Sequence, residues 1–472
     1  MAGDQKLSIL VPVYNERYTI SHVITAALTA PLPQGLSREL IVVDDCSTDG
    51  TGQILQRLAR EHGDNVHVYS HAKNMGKGAA IRTAVQHATG DISIIQDADL
   101  EYDPRDYRGL LSPILEDEAD VVYGSRFIFR ERRRVLLFWH SVGNRILTTL
   151  SNAFTNLNLT DMETGYKAVR TEILKSIPIR CNRFAFEPEI TAKLAKRGCR
   201  FYEVPISYRG RTYEEGKKTT WRDGLKAMLA VFRFWLIDDL YDERYGHAIL
   251  YSLSTTHRFT RWIAERIRPW VRASVLEIGA GLGNLTGTFL PREEYVVSDV
   301  DPLHLRFLKS RFAYHPYVEV RAVRVEESSD FADLAGRFDT VLCVNVLEHV
   351  ERDEEALSNI HVALRPGGSA ILLVPRGQWL YGTLDQALGH CRRYSSAELR
   401  EKCERAGLAV ERMFTLNRVG VFAWFVNGKI LRRRRFGKIQ LKIFDMLMWL
   451  WRSVDALLPW RGLSLVVVAR KR

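Results

Sequence analysis

Four short apolar runs constrain the first half of the chain more than anything else in it. Residues 7–13, 40–43, 66–69 and 92–95 are continuously apolar or nearly so, and stretches of helical character separate them. Runs this short that do not alternate with polar residues read as strands buried on both faces. Strands that alternate with helices predict a mostly parallel sheet, and such sheets collect ligands at the carboxyl ends of their strands. Here those ends carry Tyr14-Asn15-Glu16, Asp44-Asp45, and Asp97 with Asp99. Side chains two apart on a strand share a face, so Asp97 and Asp99 can converge on one point. Paired hard oxygen ligands suit Mg²⁺ or Mn²⁺, ions that usually bring phosphates with them. The competing reading of this triplet alone is a solvated acidic turn. Gly76-Lys77-Gly78 opens a helix, where unsatisfied N–H groups favour anions, and Lys77 and Arg82 add positive charge. The ordinary alternatives are that Asp49 caps a helix and that the two glycines only shape a turn.

At 472 residues the chain is too long for one ordinary domain. A hydrophobic content of 46% beside 26% charged residues is globular. The net charge of +11 suits an anionic partner such as a membrane surface, nucleotide phosphates or nucleic acid. Six cysteines (Cys46, Cys181, Cys199, Cys343, Cys391 and Cys403) are scattered without metal-type spacing, so reduced thiols are expected. The first residues lack the basic start and apolar stretch of a leader. No uninterrupted apolar run reaches the roughly 18 residues of a spanning helix.

The motifs VPVYNE, VVDDCSTDGT, NMGKGAAIRTAV, QDADLEYDP and GSRF follow one another in this order. Together they resemble a family 2 glycosyltransferase of the GT-A fold, in the dolichol-phosphate mannosyltransferase or polyprenyl-phosphate glycosyltransferase branch. The likeness covers residues 1 to about 240. It implies inverting transfer of a sugar from a nucleotide diphosphate to a lipid phosphate. It also implies that Pro12, Tyr14, Glu16, Asp44, Gln96, Asp97 and Asp99 surround nucleotide-sugar and metal. A lipid phosphate is already anionic near neutral pH, so it needs cationic positioning more than a general base. Arg126 in GSRF, with Arg209, Arg211 and Lys217 in the segment after residues 204–206, are the candidate cations, since the guanidinium fork suits phosphate. Thr164 to Arg170 and Phe186-Glu187-Pro188-Glu189 match later elements of the same family, with Glu187 open to a simple helix-capping role. Residues 135–150 and 225–237 fit amphipathic helices for a membrane surface, and Arg132 to Arg134 could meet anionic lipid heads. The competing reading is a core helix beside a solvated charge run.

A charged break at residues 238–250 is the expected domain boundary. Beyond it, Val275-Leu-Glu277-Ile-Gly279-Ala-Gly281-Leu-Gly283 forms a strand and a glycine loop, and Tyr295-Val-Val-Ser298 ends in Asp299, placed to grip a ribose. A dinucleotide site competes until the later elements are added. Residues 338–343 run into Asn345-Val-Leu-Glu348-His349, and Leu364-Arg-Pro-Gly-Gly368 precedes the strand 370–374. This set resembles a class I S-adenosylmethionine-dependent methyltransferase over about residues 250–472. The resemblance implies that Glu277, Gly279, Gly281, Gly283 and Asp299 hold S-adenosyl-L-methionine, with Glu326 toward the adenine. It sets Asn345, Glu348 and His349 where methyl donor meets acceptor. His349 is then a candidate general base, or a residue that only packs or caps, and His390 is a second base candidate. Residues 419–460 interleave Trp424, Trp449, Trp451 and Trp460 with Arg432 to Arg435, Lys438 and Lys442. No nucleic-acid fold signature accompanies them, so a membrane interface or a packed helical insertion is expected.

The expected architecture is α/β, with two doubly wound domains. Residues 1–240 form the glycosyltransferase, 241–250 a linker and 251–472 the methyltransferase. The implied partners are a nucleotide sugar and a polyprenyl phosphate, at the cytoplasmic face of a membrane with peripheral contact. The alternative is transfer to a saccharide hydroxyl, with the second domain a non-catalytic binding or regulatory module.

Overall fold

The computed structural model describes residues 5–129, 134–135, 137–183, 185–210, 221–237, 256–312, 315–433 and 438–472. The chain divides into two compact units, Met1–Tyr245 and Gly246–Arg472. Each is built on a seven-stranded mixed sheet, as the strand–helix alternation predicts.

The first sheet comprises β1 (Gln5–Val13), β2 (Leu36–Asp44), β3 (Val66–Ser70), β4 (Ile92–Ile95), β5 (Val121–Ser125), β6 (Lys167–Arg170) and β7 (Phe201–Pro205). Their order is β3-β2-β1-β4-β6-β5-β7. Only β6 runs antiparallel to its neighbours in this sheet. Leu7, Ile9, Val11 and Val13 pack on one face, while Leu10, Ile41, Val43 and Ile95 pack on the other. That two-sided burial is why these strands are continuously apolar. Register fixes the site: Val13 pairs with Asp44 across β1 and β2, and the Gln96 N–H bonds the Leu10 carbonyl.

The helices Phe138–Thr155 and Trp221–Leu236 pack together, with Phe154 against Phe232 and Trp235 at ring separations of 5.1 and 4.9 Å. Their outward faces leave Phe138, Trp139, Ile146, Leu229 and Leu236 more than half exposed. Arg132, Arg133, Arg211 and Lys217 lie outside the described residues.

The second sheet comprises β8 (Ser274–Ile278), β9 (Glu294–Asp299), β10 (Val318–Ala322), β11 (Phe338–Val344), β12 (Leu364–Pro375), β13 (Leu408–Leu416) and β14 (Ser464–Lys471). The order is β10-β9-β8-β11-β12-β14-β13, with β14 antiparallel to both strands beside it. Strand order reverses beside β8, the switch point at which open α/β sheets bind ligands. The helices Arg418–Phe425, Lys438–Met446 and Met448–Leu457 interrupt the path from β13 to β14. Their tryptophans divide between core and surface. Trp424 is buried against Leu380, Leu384 and Leu388, and Trp451 stacks with Phe444. Trp449 and Trp460 stay exposed. Trp424 and Trp451 thus match the packed-insertion alternative, and the other two lie on the surface. Among the described residues no helix is long and apolar enough to cross a membrane.

Candidate functional site

Three strand-end loops of the first unit are stitched together by short polar contacts. Asp44, at the end of β2, accepts from the Ser47 N–H and hydroxyl, and that hydroxyl oxygen accepts the Asn15 N–H at 2.9 Å. Thr19 donates to Glu16 at 2.8 Å and lies 3.1 Å from the Ala98 carbonyl, tying the β1 loop to the Asp97–Asp99 turn. Tyr14 is 39% exposed beside this junction, and Pro12, Glu16, Asp97 and Asp99 are half-buried. Asp99 accepts the Glu101 N–H at 3.2 Å, which turns the chain after β4.

Gln96 differs from the sequence expectation. It is fully buried, its carbonyl oxygen accepts both Tyr107 and Tyr166 hydroxyls at 2.7 Å, and its amide donates to the Asp97 carbonyl. Gln96 thus braces the strand end from beneath and has no surface for a ligand. The Gly76-Lys77-Gly78 anion cradle is likewise corrected. Asp45 already takes the Met75 and Gly76 N–H groups at 2.8 and 2.6 Å. Gly76 has φ 99°, and a Cβ there would lie 2.4 Å from the Asn182 carbonyl, so close packing on that segment demands the glycine. Arg82 is spent on the Ile179 carbonyl and Asn182 rather than on a ligand.

Lys77 instead bridges two carboxylates, 2.8 Å from Asp97 and 3.0 Å from Glu187. Burial works to lower its pKa, but Asp97 and Glu187 carry it well above the ordinary lysine value. Glu187 also meets the fully buried Lys167 at 3.2 Å. It is therefore an ion-paired core group and not a helix cap. Burial lowers Lys167 despite that partner. Arg126 is held by Asp161, whose side chain is fully buried, and stacks over Tyr208 at 5.1 Å. It is not a free cation facing a lipid phosphate, which corrects its expected role. Arg209 is exposed, and its N–H bonds the Glu101 carbonyl.

Asp161 and Glu163 were missed by sequence reasoning; the signal was their closeness to the Thr164–Arg170 motif, which itself contains Lys167. Burial, then the neighbouring Glu187, pushes the Glu163 carboxyl up to about 7. One of its oxygens is buried without a hydrogen-bond partner.

In the second unit, Gly279, Gly281 and Gly283 all have φ between 57° and 69°, so the β8 loop needs glycine. Asp299 ends β9, accepting the Gly281 N–H at 2.8 Å and the Asp301 N–H at 2.9 Å. Burial opposes its ionisation, but the His304 hydrogen bond and these N–H groups leave its pKa below the usual carboxylate value. Glu277 corrects the expectation. It is buried beneath the loop, with one oxygen taken by Thr286 at 2.7 Å and Tyr295 at 2.6 Å, and burial pushes its pKa up to about 7. Glu326 is half-buried in the turn after β10. Asn345 is exposed at the end of β11 with φ 55°, the left-handed geometry asparagine tolerates. His349 is half-buried, and its ring meets that of His390 edge-on at 4.9 Å.

The "Glycosyl transferase family 2" family model matches residues 8–177, and the "Methyltransferase domain" model matches residues 276–370. The chain joins a family 2 glycosyltransferase domain to a methyltransferase domain. The undecaprenyl-phosphate 4-deoxy-4-formamido-L-arabinose transferase of Edwardsiella ictaluri (strain 93-146) is 28% identical over 214 residues, 45% of this chain and 63% of that protein. The same-named protein of Klebsiella pneumoniae (strain 342) is 27% identical over 45% of this chain and 62% of its own length. The match thus spans less than two thirds of these relatives. Among solved structures, Mycobacterium tuberculosis glucosyl-3-phosphoglycerate synthase with uridine diphosphate shares 22% identity over 49% of this chain and 80% of its own, at TM-score 0.38. An S-adenosylmethionine-dependent methyltransferase of Mesorhizobium loti shares 14% over 45% and 97%, at TM-score 0.32.

In the glycosyltransferase domain, the carboxylates of Asp97 and Asp99 form a donor set suited to a hard divalent cation. Close backbone approach leaves room there only for glycine at position 165, where a Cβ would lie 2.3 Å from an Asp97 oxygen. In the methyltransferase domain, the loop beside Gly281 faces open space, and the Asp299 carboxylate closes the edge of that loop, a fit for a ribose-bearing cofactor.

Proposed function

We propose that the amino-terminal domain transfers a sugar, with inversion, from a nucleotide sugar to the phosphate of a polyprenyl phosphate. The carboxy-terminal domain uses S-adenosyl-L-methionine to methylate an acceptor in the same glycolipid or saccharide route. One observation carries the first half. The unit that stitches Glu16, Asp44 and the Asp97–Asp99 turn into one strand-end cluster also exposes the apolar faces of the helices Phe138–Thr155 and Trp221–Leu236. That pairing suits a polar donor and a lipid acceptor, and the names of the similar transferases agree with it.

In this reading the lipid phosphate oxygen forms the new bond to the anomeric carbon as the bond to the nucleotide diphosphate breaks. The diphosphate leaves with the electron pair. The acceptor is already ionised, so no side chain has to take its proton. Asp99, with the Asp97 oxygen that Lys77 does not hold, would bind Mg²⁺ or Mn²⁺, whose charge offsets that of the departing diphosphate. Lys77 fixes Asp97 in place. Arg209 offers charge at the rim, and Arg126 shapes the wall through Asp161 and Tyr208. Peripheral contact with the inner face of a membrane belongs to the same proposal.

Mass spectrometry of products tests both halves. The purified chain is incubated with polyprenyl phosphate and a panel of nucleotide sugars, with and without S-adenosyl-L-methionine. A glycosyl phosphoryl lipid supports the first half, and a product 14 mass units heavier supports the second. Failure to bind S-adenosyl-L-methionine by calorimetry sinks the methyltransferase half.

Transfer to a saccharide hydroxyl is favoured by one feature, the Glu163 carboxyl poised near neutrality with an unpartnered oxygen. Glu163→Gln separates the readings. It abolishes transfer if Glu163 takes a hydroxyl proton and spares it if the acceptor is a phosphate.

A further inference from the structure

The turn after β11 and the segment after the helix Thr383–Leu388 bring Glu348, His349 and His390 together. One ligand atom from each lies within 4.8 Å of the other two. His390 Nε2 lies 4.0 Å from a Glu348 oxygen, too far for a hydrogen bond between them. The other Glu348 oxygen is buried without a hydrogen-bond partner, on a residue only 1% exposed. Burial pushes the Glu348 carboxyl up to about 8, and a cation facing it would favour the anion.

The surroundings decide which way the histidine points. His390 Nδ1 lies 2.9 Å from Asp385, so the proton on that nitrogen is given to the carboxylate and Nε2 keeps its lone pair. Asp385 is itself anchored by Arg393 at 2.7 Å, Trp424 at 3.1 Å and the Gly382 N–H at 3.0 Å. Arg393 balances the Asp385 charge. A histidine whose far nitrogen is fixed by an anchored carboxylate is the usual support of a metal-binding imidazole. What Nε2 faces is a second acceptor, Glu348, with His349 alongside.

We infer that Glu348, His349 and His390 bind a divalent transition-metal ion, with Asp385 as the residue that orients His390. Two imidazoles and one carboxylate suit Zn²⁺ or Mn²⁺. Bonds of about 2.0–2.2 Å around such an ion require the three atoms to close by roughly an ångström, within side-chain rotation. Three protein ligands leave a position open. Resting on the methyltransferase reading above, that position would take the acceptor hydroxyl and lower its pKa. The methyl group then passes from the sulfonium to oxygen, leaving S-adenosylhomocysteine and one released proton.

The test is equilibrium dialysis of the full chain against Zn²⁺ and, separately, Mn²⁺, with metal counted by mass spectrometry. All samples carry Asp99→Asn, so that the other carboxylate site does not contribute. The expected result is one ion per chain. It is lost in His390→Ala and Glu348→Gln and bound about 10- to 100-fold more weakly in Asp385→Asn. Circular dichroism and thermal melting verify folding. His349→Ala, at a half-exposed position, serves if the buried variants do not fold. No ion bound by the parent sample, or unchanged binding in the histidine variants, overturns the site. Calorimetry with S-adenosyl-L-methionine on the same samples separates the two ideas: metal binding without cofactor binding keeps the site and sinks the methyltransferase reading.

Discussion

The Arg126 guanidinium meets the Asp161 carboxylate through two charge-assisted hydrogen bonds, of 2.6 and 2.7 Å. Asp161 also accepts the Arg126 N–H and the Asn144 amide, and its side chain is fully buried. Removing the arginine strands a buried charge. Arg126→Ala is therefore expected to destabilise the amino-terminal domain by about 3–5 kcal/mol, whereas Arg209→Ala stays within about 0.5 kcal/mol. Urea unfolding of both variants measures this. An Arg126→Ala domain as stable as the parent would return Arg126 to the role of a ligand contact.

Asp99 and Gln96 sit three residues apart yet act differently. Asp99→Asn should weaken Mn²⁺-dependent binding of a nucleoside diphosphate more than about tenfold while leaving the melting temperature near the parent value. Gln96→Ala leaves two buried tyrosine hydroxyls without their shared acceptor, a cost of about 1–3 kcal/mol. Calorimetry and thermal melting on the two variants distinguish a site residue from its support.

Glu277 makes stability depend on pH. Its pKa rises from 4.5 to about 7 on folding because burial favours the neutral acid. The folded state binds the proton more tightly, so this contribution is full below about pH 4.5, falls as pH rises to 7 and is flat beyond. The total is about 3 kcal/mol, at roughly 1.4 per pKa unit. Glu277→Gln should remove that slope, so the difference between its unfolding free energy and the parent's should grow between pH 4.5 and 7. A pH-independent difference would show that Glu277 is ionised in the folded protein.

Trp424 donates to Asp385, the carboxylate that also holds His390 and Arg393. Trp424→Phe keeps most of the packing and loses the donor. A loss of about 1.5–3 kcal/mol is expected for a hydrogen bond to a charged group. Chemical denaturation followed by fluorescence of the remaining tryptophans reads it.

Phe138, Trp139 and Leu229 stand on the exposed apolar faces of the two packed helices. Trp139→Glu with Leu229→Glu should reduce binding to vesicles containing anionic lipid by more than about tenfold, read by flotation. Equal flotation would place membrane contact elsewhere or nowhere.

Strand–helix alternation made both sheets legible, because apolar continuity over a few residues has few other solutions. The clusters at Asp44, Asp97 and Asp99 were legible for the same reason: they interrupt that continuity at strand ends. What sequence could not give was direction. Gln96, Glu277 and Glu187 belong to the same motifs as the less buried strand-end residues, but the pleat and the local turns point them inward, to tyrosines, a threonine or lysines. Arg126 and Asp161 are 35 positions apart, and His349 and His390 lie on different elements, so their pairing is a product of topology. The four tryptophans between β13 and β14 look alike in sequence, and only packing separates Trp424 and Trp451 from the exposed pair.

The place of β14 between β12 and β13 sets an order of events during synthesis. The ribosome completes β13 (Leu408–Leu416) roughly fifty residues before β14 (Ser464–Lys471) exists to pair with it. At about 5–20 residues per second, β12 and β13 both wait several seconds with open edges in the nascent chain. The exposed Trp449 and the rest of the intervening helices emerge during the same interval. The sheet of the amino-terminal domain is complete by Pro205. The methyltransferase domain is thus the half whose sheet can close only later.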